Sequence, residues 1–113
     1  MKREPMLSGQ IDLMVLAVVG RKPSHGYDII RALRLRSGGK LDLAEGTIYP
    51  ALYRLEQAGY LQSDEKTVSG RSRRVYQLTS PGRAALRARQ RAWRDLVESI
   101  EAIVGGRAQP DHG

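Results

Sequence analysis

The chain contains no cysteine in its 113 residues. Disulfides, thiolate metal sites and cysteine nucleophiles are therefore excluded. Histidine is almost as scarce. His25 and His112 are the only two, and His112 sits in a polar terminal tail. His25 has no nucleophile pattern or metal-ligand spacing around it. Paired carboxylates and phosphate loops are also missing at any plausible spacing. The chain is expected to be no enzyme and to hold no cofactor or metal. Long hydrophobic runs are absent as well. A membrane span needs ~18 consecutive apolar residues, whereas the longest run, Leu13 to Val19, is core length. Behind Met1-Lys2-Arg3, the residues Glu4, Pro5 and Ser8-Gly9-Gln10 interrupt any signal-peptide apolar region. The expectation is a cytoplasmic protein with no membrane contact.

What is present is positive charge. Lysine and arginine total 19 against 12 acidic residues, a formal net charge of +7, and fifteen of the cations are arginine. Hydrophobic residues make up 41%, enough for one modest core and not two. A basic balance favours anionic partners, and nucleic acid is the commonest cytoplasmic polyanion. Charge alone does not separate a site-specific DNA binder from a non-specific nucleic-acid or nucleoid-type module.

Residues 1–6 read as a loose basic arm. Ile11, Met14, Val15, Val18 and Val19 recur at helical spacing, so a first helix is predicted from Ser8 to Val19, with Gly20 as its stop. A second is predicted from Ser24, as cap, to Arg36, ended by Ser37-Gly38-Gly39. Leu41-Asp42-Leu43 alternates like a very short strand. The third helix is predicted from Glu45 to Ala58, with Ile48, Leu52, Leu55 and Ala58 as its apolar stripe. Pro50 fits it only in the first turn. Two extended segments, 60–66 and 73–78, around a polar Gly70-containing tip predict a β-hairpin. The last helix starts at Thr79-Ser80-Pro81 and runs to Val104, where Gly105-Gly106 ends it. Residues 107–113 are expected to be disordered.

Three helices, a hairpin and a further helix form the layout of a winged helix-turn-helix: mainly α with a small β-hairpin. The expected division is a DNA-binding domain over 1–79, a dimerisation helix over 80–104 and a tail over 105–113. In this layout the third helix enters the major groove and the hairpin flanks it as a wing. Thr47, Tyr49, Tyr53 and Arg54 point away from the third helix's stripe, and the hairpin tip carries Lys66, Arg71, Arg73 and Arg74. These are candidate DNA contacts, each with a plainer alternative. Thr47 either caps the helix or meets DNA. The Tyr49 hydroxyl either reaches a phosphate or packs on the second helix, and Pro50 sets the helix start and brings its first turn to the groove. Arg54 either pairs with a carboxylate on its own helix or reaches phosphate. Lys66, Arg71 and Arg73 favour phosphate or the minor groove over simple solvation, while Arg74 lies beside the sheet and has the option of facing the other way. His25 is expected to be structural at the start of the second helix, and Gly26 to permit close helix approach.

The last helix carries Leu86, Trp93 and Ile100 spaced by seven, with Leu96 and Ile103 on the alternate seam and Val97 beside them. These six residues are the candidate dimer interface, with a place in the core as the alternative for Trp93. Arg83, Arg87, Arg91 and Arg94 share one side, either solvated or paired with Asp95, Glu98 and Glu101 across a dimer.

His25-Gly26-Tyr27-Asp28-Ile29-Ile30 opens the second helix. Gly46-Thr47-Ile48-Tyr49-Pro50-Ala51-Leu52-Tyr53-Arg54-Leu55-Glu56 follows, then Gly59-Tyr60-Leu61. Arg73-Arg74-Val75-Tyr76-Gln77-Leu78-Thr79 and Gly82 complete the set. In these blocks the chain resembles the PadR family of bacterial and archaeal transcriptional regulators, over roughly residues 7–82, and its single last helix is similar to the shorter subgroup. The resemblance implies a repressor that binds a pseudo-palindromic DNA operator as a homodimer. It implies a Tyr27 hydroxyl at the DNA backbone. It also implies a candidate pocket for a flat aromatic effector at Trp93, the only tryptophan.

Overall fold

The computed structural model describes residues 8–105, with only the backbone of Val68. Four helices and three strands follow in the order α1 (Ser8–Arg21), β1 (Ser24–His25), α2 (Gly26–Arg36), α3 (Glu45–Gln57), β2 (Leu61–Val68), β3 (Arg71–Leu78) and α4 (Ser80–Val104). The strands form one antiparallel sheet in the order β1-β3-β2. This is the winged-helix arrangement that the pattern predicts. The basic arm at 1–6 and the tail at 107–113 lie outside the described residues.

The core forms where the apolar stripes of α1, α2 and α3 meet the inner face of the sheet. Val15, Leu16, Ile29, Ile48 and Leu52 are fully buried, and Leu55, Leu61, Tyr76 and Leu78 close the edges. Each fully buried side chain of this size contributes about 1.5–3 kcal/mol relative to its exposed state.

Several element boundaries differ from the pattern's. Helix α1 does not stop at Gly20 but runs through it to Arg21. A Cβ at Gly20 would lie 3.0 Å from Leu86 Cδ2 and 3.1 Å from Leu78 Cδ1. The glycine there serves packing, not chain reversal. Ser24 is not a helix cap either: with His25 it forms β1, opposite Tyr76 and Val75 of β3. The cap of α2 is His25, whose Nδ1 accepts from the Asp28 backbone N–H at 3.2 Å. Leu41-Asp42-Leu43 forms no strand; Leu43 packs against the core as an isolated side chain. Pro50 lies beyond the first turn of α3, its sixth residue. The carbonyl it leaves without a helical donor is that of Gly46, an exposed residue that water can reach.

The hairpin is longer and tighter than its composition suggests. Pairing continues from Leu61↔Leu78 to Val68↔Arg71, leaving only Ser69 at φ 53° and Gly70 at φ 77° as the turn. Two successive left-handed residues are what a two-residue turn matched to the strand twist requires.

Thr79 caps α4 by accepting from Gly82 N–H at 3.0 Å, with Pro81 in the first turn, and Gly105 at φ 77° ends the helix. Its first half belongs to the core. Leu86, partly buried, packs on the core cluster beside Gly20 and Leu78, a contact within its own chain that the heptad spacing does not reveal. Gly82 sits so close to the turn before β2 that a Cβ there would overlap the Tyr60 carbonyl.

Alanine normally favours a helix over glycine by about 1 kcal/mol, but backbone cannot yield to it as a flexible side chain would. Gly82→Ala is therefore expected to destabilise the protein by about 2 kcal/mol, lowering Tm by roughly 10 °C in thermal unfolding. A variant as stable as the parent would contradict the tight docking of α4.

Candidate nucleic-acid interface

The exposed side of α3 follows from its stripe. At ~100° per residue, Ile48, Ala51, Leu52 and Leu55 occupy one buried face. Gly46, Pro50 and Tyr53 then lie opposite, and Tyr53 is 66% exposed. Tyr49 falls on one flank, Thr47 and Arg54 on the other. The cap residue Ala44 has no capping side chain, and Thr47 is the third helical residue, donating its N–H to the Ala44 carbonyl at 2.9 Å. Thr47 is thus not a cap. The start of α3 presents backbone N–H groups without a side-chain acceptor, the arrangement that favours an anion.

On the Tyr49 flank, α3 approaches the start of α2. The ring tip lies where a Gly26 Cβ would stand, 2.5 Å from Oη, so the absent side chain lets the tyrosine cross the helix end. Tyr49 packs on α2 and still remains 43% exposed. A polar cleft of about 220 Å³ opens there, lined by His25, Tyr27, Tyr49, Ser72, Arg73 and Arg74 among others. Three elements distant in sequence thus bring Tyr27, Tyr49 and Arg73 together. Tyr27 is exposed, with the Arg31 guanidinium 5.9 Å from its ring centre. His25 is held by Asp28, with Nε2 3.1 Å from Oδ2 in addition to the backbone bond.

Alternation along the hairpin sorts its charges. The face that carries Leu61, Tyr76 and Leu78 continues outward as a polar splint. Ser72 Oγ donates to Glu65 Oε1 at 2.6 Å, Arg74 reaches Glu65 Oε2 and Ser63 Oγ at 3.0 Å each, and Ser63 Oγ donates to Glu56 Oε2 of α3 at 2.8 Å. Arg74 accordingly fixes the wing. Burial, then the nearby Glu56 carboxylate, pushes the Tyr76 hydroxyl pKa up, so it stays protonated beside this network. The opposite face carries Lys66 and Arg73 directly across from each other, and Arg71 one pair further out. Like charges opposite each other destabilise a hairpin. Among the described residues these three have no carboxylate within ion-pair distance.

Arg54 is not grouped with them. Its Nη2 donates to Asp12 Oδ1 of α1 at 2.7 Å, so its partner is neither on its own helix nor beside the wing. Pattern reasoning missed Asp12. The signal was available: it is the only acidic residue of α1, set among apolar neighbours.

The second half of α4 presents an uncovered apolar face. Trp93, Leu96 and Ile100 are each close to half exposed, Ile103 and Val104 more so, and Val97 is half-buried. Trp93 stands over α1 and borders two shallow grooves. One, of about 360 Å³, is lined by Gly9, Gln10, Leu13, Arg89, Ala92 and Leu96. The other, of about 320 Å³, is lined by Gln10, Leu13, Met14 and Leu41.

A model of the PadR-like family of transcriptional regulators matches residues 15–88. The transcriptional regulator Rv3488 of Mycobacterium tuberculosis is 46% identical over 66 residues, 58% of this chain and 59% of that protein. The match therefore spans under two thirds of that relative. The structure of smu.1704 from Streptococcus mutans superposes with a TM-score of 0.81 at 34% identity, covering 97% of this chain and all of that one. A PadR family transcription regulator from Clostridium difficile superposes with a TM-score of 0.70 at 30% identity, covering 85% of this chain and 98% of that one.

Removing two phosphate contacts lowers the dependence of log K on log salt by roughly 2. Arg71→Ala combined with Arg73→Ala is expected to weaken binding to all duplexes alike and to flatten the slope by about that amount for each subunit bound in a fluorescence titration. An unchanged slope would remove the wing from the interface.

Proposed function

The chain belongs to the PadR-like family of transcriptional regulators, and we propose that it is a homodimeric repressor that binds a pseudo-palindromic DNA operator. The observation that carries this reading is the convergence of Tyr27, Tyr49 and Arg73 on one cleft, beside the exposed face of α3 and a wing face that carries Lys66, Arg71 and Arg73 against the single acid Asp64. In this reading Thr47, Pro50 and Tyr53 face the major groove. Tyr27 and Tyr49 direct hydroxyls to phosphate, and Lys66, Arg71 and Arg73 follow the adjacent backbone. Arg54 stands at the edge of this surface with its guanidinium already on Asp12, so its role is indirect.

A repressor of this type needs two reading helices about one duplex turn apart, ~34 Å. One subunit supplies one. The apolar face of α4 from Trp93 to Ile103 supplies the contact that fixes the second, and the grooves beside Trp93 and Leu13 offer a seat for the partner's helix. Operator binding then depends on the angle between subunits. A flat aromatic effector stacked at Trp93 would release DNA only if it binds the incompetent dimer more tightly. The cytoplasm, where the DNA is, is the proposed location; no helix among the described residues is long and apolar enough to cross a membrane.

Ile100→Asp places a charge in the proposed interface and is expected to yield monomers by sedimentation. A dimer that persists would move the interface elsewhere. Selection of duplexes from a random pool by the parent protein is expected to return a palindrome with half-sites about ten base pairs apart. Retention without an enriched sequence would favour a non-specific, nucleoid-type module instead.

A further inference from the structure

The side chain of Asp12 is only 14% exposed, and its two oxygens serve two different helices. Oδ1 accepts from Arg54 Nη2 of α3 at 2.7 Å, while Oδ2 lies 3.9 Å from Arg89 Nη1 of α4. Arg89 is braced in turn. Its guanidinium carbon stands 5.7 Å from the centre of the Tyr60 ring, and the residue borders the groove shared with Trp93 and Leu96. A continuous run of side chains thus links the groove beside α4 to α3. A carboxylate this well covered is stable only with its countercharges in place. Because two guanidinium groups share it, the position of each depends on the other.

We propose that Asp12 is a positioning residue that ties the direction of α3 to the seating of α4. Occupation of the groove beside Trp93 by the α4 helix of a second copy then alters how α3 is presented. By reciprocity, a load on α3 alters the groove by the same free energy. The inference rests on the reading of α3 as the DNA-reading helix for its consequence, but not for its physical content.

Trp93 is the sole tryptophan, so acrylamide quenching of its emission monitors the groove without any ligand. Four full-length chains are compared: the parent, Arg54→Met, Asp12→Asn and the double variant. Arg54→Met is expected to change the quenching constant about 1.5-fold or more in the parent and to add nothing in the Asp12→Asn background, because coupling through a shared partner is non-additive. Arg54→Lys, which keeps the charge, is expected to stay near the parent value. Equal effects in the two backgrounds, or none in the parent, overturn the proposal. Circular dichroism confirms equal helix content, and Arg89→Met replaces Asp12→Asn in the cycle if the latter does not fold.

A second arm uses duplexes built from the selected half-sites. Asp12→Asn is expected to lose about fivefold of the preference for the selected spacing over one lengthened by roughly five base pairs. Its affinity for an isolated half-site is expected to stay within about twofold. An unaltered preference counts against the proposal. Absence of any preferred duplex sinks the DNA-reading assignment of α3, while the quenching cycle still decides the coupling.

Discussion

The narrow buried stripe of α3 is the constraint on which the rest depends. Ile48, Ala51, Leu52 and Leu55 are almost completely removed from water, and they lock the helix against α1, α2 and the sheet. A stripe of that width leaves most of the helix circumference free. Its outward face, its two flanks and its uncapped start are then set by rotation alone. The same packing places Tyr49 over Gly26 and Arg54 over Asp12, on opposite sides of one helix. A bulkier residue at Gly26, or an apolar one at Asp12, would alter what α3 shows without touching its exposed face.

Charge is distributed with a similar economy. The chain carries an excess of seven cations, yet several of its acids are taken up internally. Asp12 faces Arg54 and Arg89, Asp28 faces His25 and Arg31, and Glu65 holds Arg74. The pairs of Asp28 with Arg31 and of Glu65 with Arg74 are exposed, and each is worth little to stability, about 0–1 kcal/mol. Their effect is to decide which cations are already occupied. Lys66, Arg71 and Arg73 are left on one face of the wing, and Arg73 shares a cleft with Tyr27, Tyr49 and the cap of α2. A positive surface of this kind gathers polyanions through the whole field of the protein before any contact forms.

Helix α4 joins two environments in one element. Near its start, Leu86 fills the core beside Gly20, and Gly82 touches the Tyr60 backbone. Further on, Trp93, Leu96, Ile100 and Ile103 have the same heptad spacing, but the described residues cover Trp93, Leu96 and Ile100 only in part and leave Ile103 largely exposed. The spacing of seven residues does not distinguish the two cases, since it reports a face of the helix and not what lies against it. Leu86 shares the spacing of the exposed residues although it packs, partly buried, against the core of its own chain. Gly20 and Ser24 misled for a related reason. Each has a common local role, helix stop or helix cap, and each was overridden by a contact with β3 or α4 far along the chain.

Composition and periodicity by themselves determined the number and order of the helices, the hairpin, the caps of α4 and the basic character of the wing. These are local properties: a 3.6-residue stripe, a proline after threonine, a glycine where φ must be positive. The winged-helix layout was legible because it is a sum of such signals in order. Only the tertiary structure decided that Ser24-His25 completes the sheet, that Arg74 splints the wing while Arg73 does not, and that the partner of Arg54 is Asp12. The Arg74 splint, nine residues from Glu65, depends on hairpin register, whereas the first and last outcomes depend on strand pairing and helix rotation that bring together residues some 40 or 50 positions apart. No window of sequence contains both members of such a pair, so their meeting is a property of the packed chain.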